Sequence, residues 1–267
     1  MPLDASPPTV CLTFDNMGRA REIGKGLASL PDTNEASLAI GYPRFLDMFD
    51  ELSLKGSFFI EGWNCLHHAD RIREIADRGH EIGLHGWVHE EFHSLDKRTA
   101  EQLIADGKAA MELIGITPRV FRAPGGVRGP YAARIVEDFG FIGDSSVGHG
   151  YEAEISDEMG PDDLQPGLLS PRLASVPFRW KMIDVLHYRL LDRGADAPKT
   201  LEARWLAELD RLEQCGGTTT FILHPYIYDQ GEERFAAVEN FLRNAQQRGT
   251  IRFETVGSIS ARLLGRS

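Results

Sequence analysis

The sequence is poor in cysteine and has no long apolar run. Its 267 residues include three cysteines, Cys11, Cys65 and Cys215, without a CxxC spacing. An odd number of separated thiols argues against a disulfide framework or a zinc ribbon and is typical of buried thiols in a reducing compartment. No segment approaches the roughly 20 consecutive apolar residues of a membrane span. Residues 1–10 lack the basic and apolar parts of a signal peptide, so we expect a cytoplasmic protein with no membrane partner.

Positive charge is also scarce. The chain has 29 Lys and Arg against 40 Asp and Glu, a formal net charge of −11. This field repels phosphate backbones and anionic lipids, which argues against nucleic-acid and membrane binding. The sequence shows no internal repeat and no long linker, so we interpret residues 1–267 as a single domain.

Short apolar or β-branched runs alternate with amphipathic segments. The candidate strands are Thr9–Phe14, Gly56–Ile60, Glu81–Leu84, Arg119–Phe121, Ser175–Phe178, Thr219–Leu223 and Ile251–Phe253. The candidate helices are Gly41–Leu54, Ala69–Arg78, Thr99–Ile114, Pro130–Phe139, Arg204–Gln214 and Glu232–Arg248. This alternation predicts an α/β fold with parallel strands and helical crossovers. A GxGxxG motif does not follow the first strand, which favours a barrel over a dinucleotide-binding sheet. The acidic, Gly- and Pro-containing segment Gly148–Pro171 is predicted to be a long loop over one rim.

Two histidines stand four residues apart in His85-Gly86-Trp87-Val88-His89, directly after the candidate strand Glu81–Leu84. If this segment is helical, both imidazoles lie on one face, at a spacing that lets one divalent metal bind both. A coincidental pair is the alternative. The position at the end of a buried strand favours the metal site.

Asp15, Arg122 and His224 also follow candidate strands. Because the carboxyl ends of barrel strands form one rim, we expect these residues to meet His85 there. Asp15 could be a general base, a metal ligand or the cap of a turn, and the residues alone leave this open. Arg122 precedes a Pro-Gly-Gly turn and is predicted to grip and orient Asp15. His224 is a candidate general acid, with a buried structural histidine as the alternative.

Together these motifs resemble the polysaccharide deacetylase family, whose NodB-type domain belongs to carbohydrate esterase family 4. The resemblance extends over nearly the whole chain, from Thr13-Phe14-Asp15 through the histidine pair, Arg122–Gly126 and Gly143-Asp144-Ser145-Ser146 to Leu223-His224-Pro225. The sequence is most similar to the branch that holds intracellular peptidoglycan-deacetylase-like proteins, cyclic imidases and metal-independent allantoinases. The resemblance implies a single distorted (β/α) barrel of about seven parallel strands.

The resemblance also implies an activity, namely hydrolysis of a non-peptide C–N bond that removes an acetyl-like N-acyl group from a sugar or small molecule. Asp15 corresponds to the catalytic base, Arg122 to its partner and His224 to the acid. His85 and His89 correspond to ligands of a divalent metal, with Zn²⁺ expected. Homo-oligomers, tetramers or dimers, are expected by analogy. Residues beside the motifs are expected to bind substrate, with core packing as the alternative for the aromatic ones: Trp87, Pro124, Gly125, Gly126, Trp180 and Tyr226.

One residue departs from the family pattern. Members usually carry a second acid as the third metal ligand, one or two residues after the base, where this chain has Asn16 and Met17. Three interpretations stay open: a weakened site of Asn16, His85 and His89, a site in which Asp15 is the ligand, or no metal. The first is our prediction. Two other functions compete with this one. The protein could be a cyclic amidase that opens a ureide or imide ring, a reaction that can proceed without a metal. It could also be a ligand-binding relative that has lost catalysis.

Overall fold

The computed structural model of the chain describes residues 6–147, 164–190 and 196–266. Its strands form one nine-stranded sheet in the order β6-β7-β5-β4-β3-β2-β1-β8, and β9 pairs with the start of β1. Their bounds are β1 Thr9–Asp15, β2 Ser57–Ile60, β3 Glu81–Leu84, β4 Val120–Phe121, β5 Gly143–Asp144, β6 Gly167–Leu168, β7 Ala174–Ser175, β8 Thr218–Leu223 and β9 Arg252–Phe253. Every named pairing is parallel except that of β6 with β7.

Helices connect these strands, as the alternating pattern predicts. The α-helices are α1 Ala20–Gly24, α2 Tyr42–Glu51, α3 Gly62–His67, α4 Ala69–Asp77, α5 Lys97–Leu113, α6 Ala132–Asp138, α7 Ala197–Cys215, α8 Glu232–Gln247 and α9 Val256–Leu263. None of the helices in the described ranges is long and apolar enough to cross a membrane.

Strand β1 lies in the middle of the core. All seven of its residues are buried, and the ring of Phe14 stacks on Phe58 of β2 at 4.3 Å between centroids. Phe45 and Phe49 of α2 meet Phe14 edge-on at 5.2 Å. The apolar stripe of α2 therefore fixes the helix over β1, which ends at the polar residue Asp15 and is followed by Asn16.

The sheet is curled, which confirms the predicted barrel-like α/β fold. After β7 the chain crosses to the other end of the sheet, where Ile183 pairs in parallel with Ile222 of β8. This crossing brings residues from both ends of the sheet to one rim. The carboxyl ends of β1, β3, β4 and β8 all open onto that rim, as the strand assignments require.

Several details differ from the predictions. The described residues contain two short strands that the sequence patterns did not indicate, β5 and the antiparallel β6. Strand β5 has only two residues and no apolar run to reveal it. Segment 85–89 is a loop and not a helix, because Gly86 and His89 have φ angles of 72° and 74°. Cys215 is exposed, whereas Cys11 and Cys65 are buried as expected. Of the predicted loop Gly148–Pro171, residues 148–163 lie outside the described residues.

Candidate active site

Asp15 and Arg122 form a buried ion pair at the rim. Asp15 Oδ1 accepts a hydrogen bond from Arg122 Nη1 at 2.7 Å, and the two side chains are 8% and 0% exposed. Burial alone would raise the pKa of Asp15. The charge of Arg122, with smaller effects of His85 and His224, outweighs burial and holds that pKa below its ordinary value. Asp15 is therefore an oriented, ionised carboxylate at neutral pH.

Arg122 is itself held on every side. Its Nη1 also donates to Thr13 Oγ1 at 2.9 Å, its Nε donates to the backbone carbonyl of Ser145 at 3.1 Å and its Nη2 donates to Ser145 Oγ at 2.7 Å. The guanidinium carbon lies 4.3 Å from the ring centroid of Phe59. The motif Gly143-Asp144-Ser145-Ser146 thus has a structural role, because it shapes the cradle that fixes the arginine.

The two histidines are brought together by the loop after β3. Their ring centroids lie 5.2 Å apart. His85 Nδ1 is 2.9 Å from the backbone carbonyl oxygen of Arg122, and because a carbonyl only accepts, Nδ1 carries the proton. The lone pair of His85 is then on Nε2, which lies 3.9 Å from Asp15 Oδ2. Burial lowers the pKa of His85 and moves that of His89 well below its ordinary value, so both rings are neutral at pH 7.

Asn16 occupies the position of the missing acid. Its backbone has a φ of 66°, a left-handed conformation that asparagine tolerates better than most residues. The residue is 7% exposed, and its Oδ1 has no hydrogen-bond partner among the described residues. A buried carbonyl oxygen without a donor is costly, and coordination of a cation would satisfy it.

His224 is held by an acid that the sequence reasoning missed. Asp184, which is fully buried, lies 2.6 Å from His224 Nδ1 through Oδ1 and accepts the backbone N–H of His224 at 2.6 Å through Oδ2. This pairing places the proton of the neutral ring on Nδ1 and leaves Nε2 for a substrate. An acid between apolar neighbours in Met182-Ile183-Asp184-Val185 was the available signal, since buried carboxylates are usually paired.

A cavity of about 210 Å³ joins these groups. Asp15, Asn16, His85, His89 and His224 all line it. Of the residues predicted to bind substrate, Gly125, Gly126, Trp180 and Tyr226 line the cavity as well.

The two other residues predicted to bind substrate lie elsewhere. Pro124 lines an adjoining cleft of about 390 Å³. The ring of Trp87 packs against the core beside Gly62, where a Cβ would lie 2.9 Å from the indole, so its contacts are those of core packing.

Glu61 is a second buried acid that the sequence reasoning missed. It directly follows β2, is 0% exposed and accepts hydrogen bonds from the Met17 backbone N–H at 3.2 Å and from Asn64 Nδ2 at 2.9 Å. Asn64 Nδ2 also donates to the Met17 carbonyl at 2.9 Å. The two side chains therefore clamp the backbone next to Asn16. Burial raises the pKa of Glu61 to about 8, so the carboxyl is mostly protonated at neutral pH.

The donor set is compatible with a divalent cation. No group of three or more His, Cys, Asp or Glu suited to a metal occurs in the part of the chain that the structure describes. Asn16 supplies an unsatisfied oxygen, however, and His85 and His89 supply neutral imidazoles. The hydrogen bond from His85 Nδ1 to a backbone carbonyl is the kind of contact that orients histidine ligands in metal sites.

Comparison with known proteins identifies the family of the chain. The family model for polysaccharide deacetylases matches residues 3–142, which is more than half of the chain. The chain belongs to the polysaccharide deacetylase family. Asp15, the histidine pair and Arg122 all fall within the matched region, whereas Asp184 and His224 lie beyond it.

One curated protein and two solved structures are similar to this chain. A peptidoglycan deacetylase from Helicobacter pylori is 22% identical over 191 residues, and the alignment covers 64% of the chain and 65% of that protein. A Mycobacterium smegmatis protein classed with polysaccharide deacetylases superposes with a TM-score of 0.80 at 23% identity, covering 99% of the chain and 93% of that structure. The Puue allantoinase structure gives a TM-score of 0.73 at 18% identity, covering 97% of the chain and 96% of its own. At these identities the two structures establish the fold.

Proposed function

We propose that this polysaccharide-deacetylase-family protein is an amide hydrolase that removes an acetyl-like N-acyl group from a sugar or a small molecule. The observation that carries this proposal is the convergence on one cavity of an ionised carboxylate, Asp15, and an acid-held imidazole, His224. A base and an acid on one cavity are what hydrolysis of an amide requires.

Asn16, His85 and His89 would hold a divalent cation, with Zn²⁺ as the proposed ion. A bound cation would polarise the acyl oxygen and lower the pKa of a water molecule. Asn16 is neutral and contributes less than a carboxylate to holding a dication, so we propose a weaker site than an Asp–His–His set would form.

The chain's own residues then carry the protons. Asp15, fixed by Arg122, accepts a proton from the water that attacks the acyl carbon. Because Arg122 keeps Asp15 ionised, the base is ready at neutral pH. His224, whose Nδ1–H is held by Asp184, takes up a proton from the solvent on Nε2. As the tetrahedral intermediate collapses with cleavage of the C–N bond, Nε2 gives this proton to the leaving nitrogen. The products are a carboxylate and an amine.

The test is turnover of a panel of N-acetyl sugars and N-acyl amines by wild-type and Asp15→Asn protein. We expect release of the acyl acid by the wild type and a loss of at least about 100-fold in Asp15→Asn, since general-base contributions have this size. Glu112→Gln, on the surface of α5, is the control. Turnover that survives Asp15→Asn, or no turnover of any amide, would reject the proposal.

A cyclic amidase is the second candidate, and a specific observation favours it. The acidic third ligand is replaced by the neutral Asn16, and the described residues hold no three-member acid, histidine or cysteine cluster. In that case Asp15 and His224 would open a ureide or imide ring without a metal. Hydrolysis of cyclic substrates by chelator-treated protein, with no hydrolysis of linear N-acyl compounds, would establish it.

A further inference from the structure

We propose that Arg21 binds a carboxylate of the substrate, so that the substrate of this site is an acidic N-acyl compound. The inference rests on the proposed amide hydrolysis and adds a substrate class to it. Arg21 lies on α1, which directly follows the loop that carries Asn16.

Arg21 lines both spaces at the site. It borders the cavity of about 210 Å³ that holds Asp15 and His224, and it also borders the adjoining cleft of about 390 Å³. The residue is half-buried, and its side chain has no ion pair or hydrogen bond within the described ranges. Arg19, two residues earlier, is by contrast paired with Asp32 at 2.6 Å. A cation partly removed from water and without a partner favours an anionic ligand.

The position of Arg21 is set by close backbone packing. Gly24 of the same helix lies so near the loop after β3 that a Cβ there would be 2.5 Å from the Val88 carbonyl oxygen. The glycine thus allows α1 to lie directly against the loop that ends at His89. This contact fixes where the guanidinium enters the site.

Other charged groups at the site already have partners within the protein. Asp15 is paired with Arg122, and both carboxylate oxygens of Glu90 accept backbone N–H groups, from Trp87 and Val88 at 2.9 Å. Glu91 and Lys25, which carry opposite charges and are both exposed, line the adjoining cleft. In a chain of net charge −11, which repels anions overall, a carboxylate needs such a local cation in order to bind.

The two spaces suggest how a substrate would be divided between them. The acyl group would occupy the cavity beside Asp15, His85 and His224. The remainder of the molecule would extend past Arg21 into the larger cleft. A guanidinium recognises a carboxylate through two parallel hydrogen bonds and so selects by charge and by shape.

The experiment measures binding separately from turnover. Calorimetry on Asp15→Asn protein would compare two acid–neutral pairs: N-acetyl-β-alanine with its carboxamide, and N-acetylmuramic acid with N-acetylglucosamine. The first pair tests an amino-acid source of the carboxylate, and the second tests a sugar source. We expect at least one acid to bind about 10- to 100-fold more tightly than its neutral partner, the size of a charged hydrogen-bonded contact. Arg21→Gln in the same background should abolish this preference, whereas Arg19→Gln, which removes a paired arginine, should keep it.

Each result has one meaning. Equal binding of acid and neutral partner in both pairs, no binding of any probe, or a preference that survives Arg21→Gln would overturn the inference. Turnover of neutral amides by the wild type alongside such a result would leave the proposed function intact. Acid-selective binding through Arg21 without turnover of any amide would instead retain the inference and reject the proposed activity.

Discussion

Asp184 holds His224 through both of its carboxylate oxygens, one on the ring Nδ1 and one on the backbone N–H, each at 2.6 Å. The pair joins the segment after β7 to the end of β8, beside the bridge between Ile183 and Ile222. The orientation of the imidazole therefore depends on the contact that brings the two ends of the sheet together.

Asp184 should affect turnover by positioning His224. Asp184→Asn should lower kcat by about 100- to 1,000-fold, because an amide no longer fixes the ring tautomer that presents Nε2. The KM should change by less than about threefold, since Asp184 does not line the cavity. Steady-state kinetics would check this, together with thermal unfolding to confirm the fold. If the two residues act as a unit, adding His224→Gln to Asp184→Asn should lower kcat by much less than His224→Gln does in the wild type. An equal reduction of kcat in both backgrounds would contradict this prediction.

Arg122 should set the acidic limb of the pH profile. Its charge lowers the pKa of Asp15, so removing the charge raises that pKa, and the base is then lost at a higher pH. Arg122→Gln should shift the acidic limb of kcat/KM upward by about one unit or more, and Arg122→Lys, which keeps the charge, should shift it less. An unmoved limb in both variants would show that Asp15 is not the group that titrates.

Removing Arg122 should also cost stability. The arginine is fully buried and donates hydrogen bonds to Thr13, Asp15 and Ser145. Breaking a buried ion pair leaves an uncompensated charge at a cost of about 3–5 kcal/mol. Urea denaturation measures the free energy of unfolding of Arg122→Gln, and Arg122→Lys, which keeps the charge, should lose less. A loss below ~1 kcal/mol in Arg122→Gln would contradict this prediction.

Glu61 should make stability depend on pH. Its pKa is raised to about 8 in the folded protein, above the value of an unfolded glutamate, so the folded state binds the proton more tightly. The stability that this provides is complete below the unfolded pKa and is lost as pH rises through about 8. Glu61→Gln, which cannot ionise, should match the wild type near pH 4 and exceed it by more than ~1 kcal/mol at pH 8.5.

Denaturant unfolding from pH 4 to 8.5 would test this prediction. Glu254→Gln is the control, because Glu254 is a partly exposed carboxylate away from the site. This variant should not gain stability over the wild type as the pH rises. Parallel stability curves for wild-type and Glu61→Gln protein would contradict it.

The rim could be predicted from the sequence because strand ends are visible as apolar runs followed by polar residues. Asp15, His85, Arg122 and His224 each follow such a run, and the structure places all four together. The same reasoning applied to Gly56–Ile60 indicates Glu61, which was overlooked. Its partners Met17 and Asn64 are visible only once the strand and the following loop are folded against each other.

The remaining differences arise from interactions that no local pattern encodes. Asp184 lies 40 residues before its partner His224, in a segment without strand or helix periodicity. The histidine pair is close in space through two left-handed backbone conformations, at Gly86 and His89, and not through helical spacing. Strand β5 has only two residues, Gly143 and Asp144, and is defined by its neighbours β4 and β7.

In the proposed site, Asn16, His85 and His89 hold a divalent cation beside Asp15. The most direct test is metal content by elemental analysis after chelation and refilling with Zn²⁺, Co²⁺ or Mn²⁺, with affinities for wild-type, Asn16→Asp, Asn16→Ala and His85→Ala/His89→Ala protein. We predict close to one ion per chain, an affinity at least about tenfold higher in Asn16→Asp because a carboxylate adds charge, a weaker site in Asn16→Ala and none in the double variant. No metal in the wild type under any condition, or an affinity indifferent to Asn16, would contradict the account.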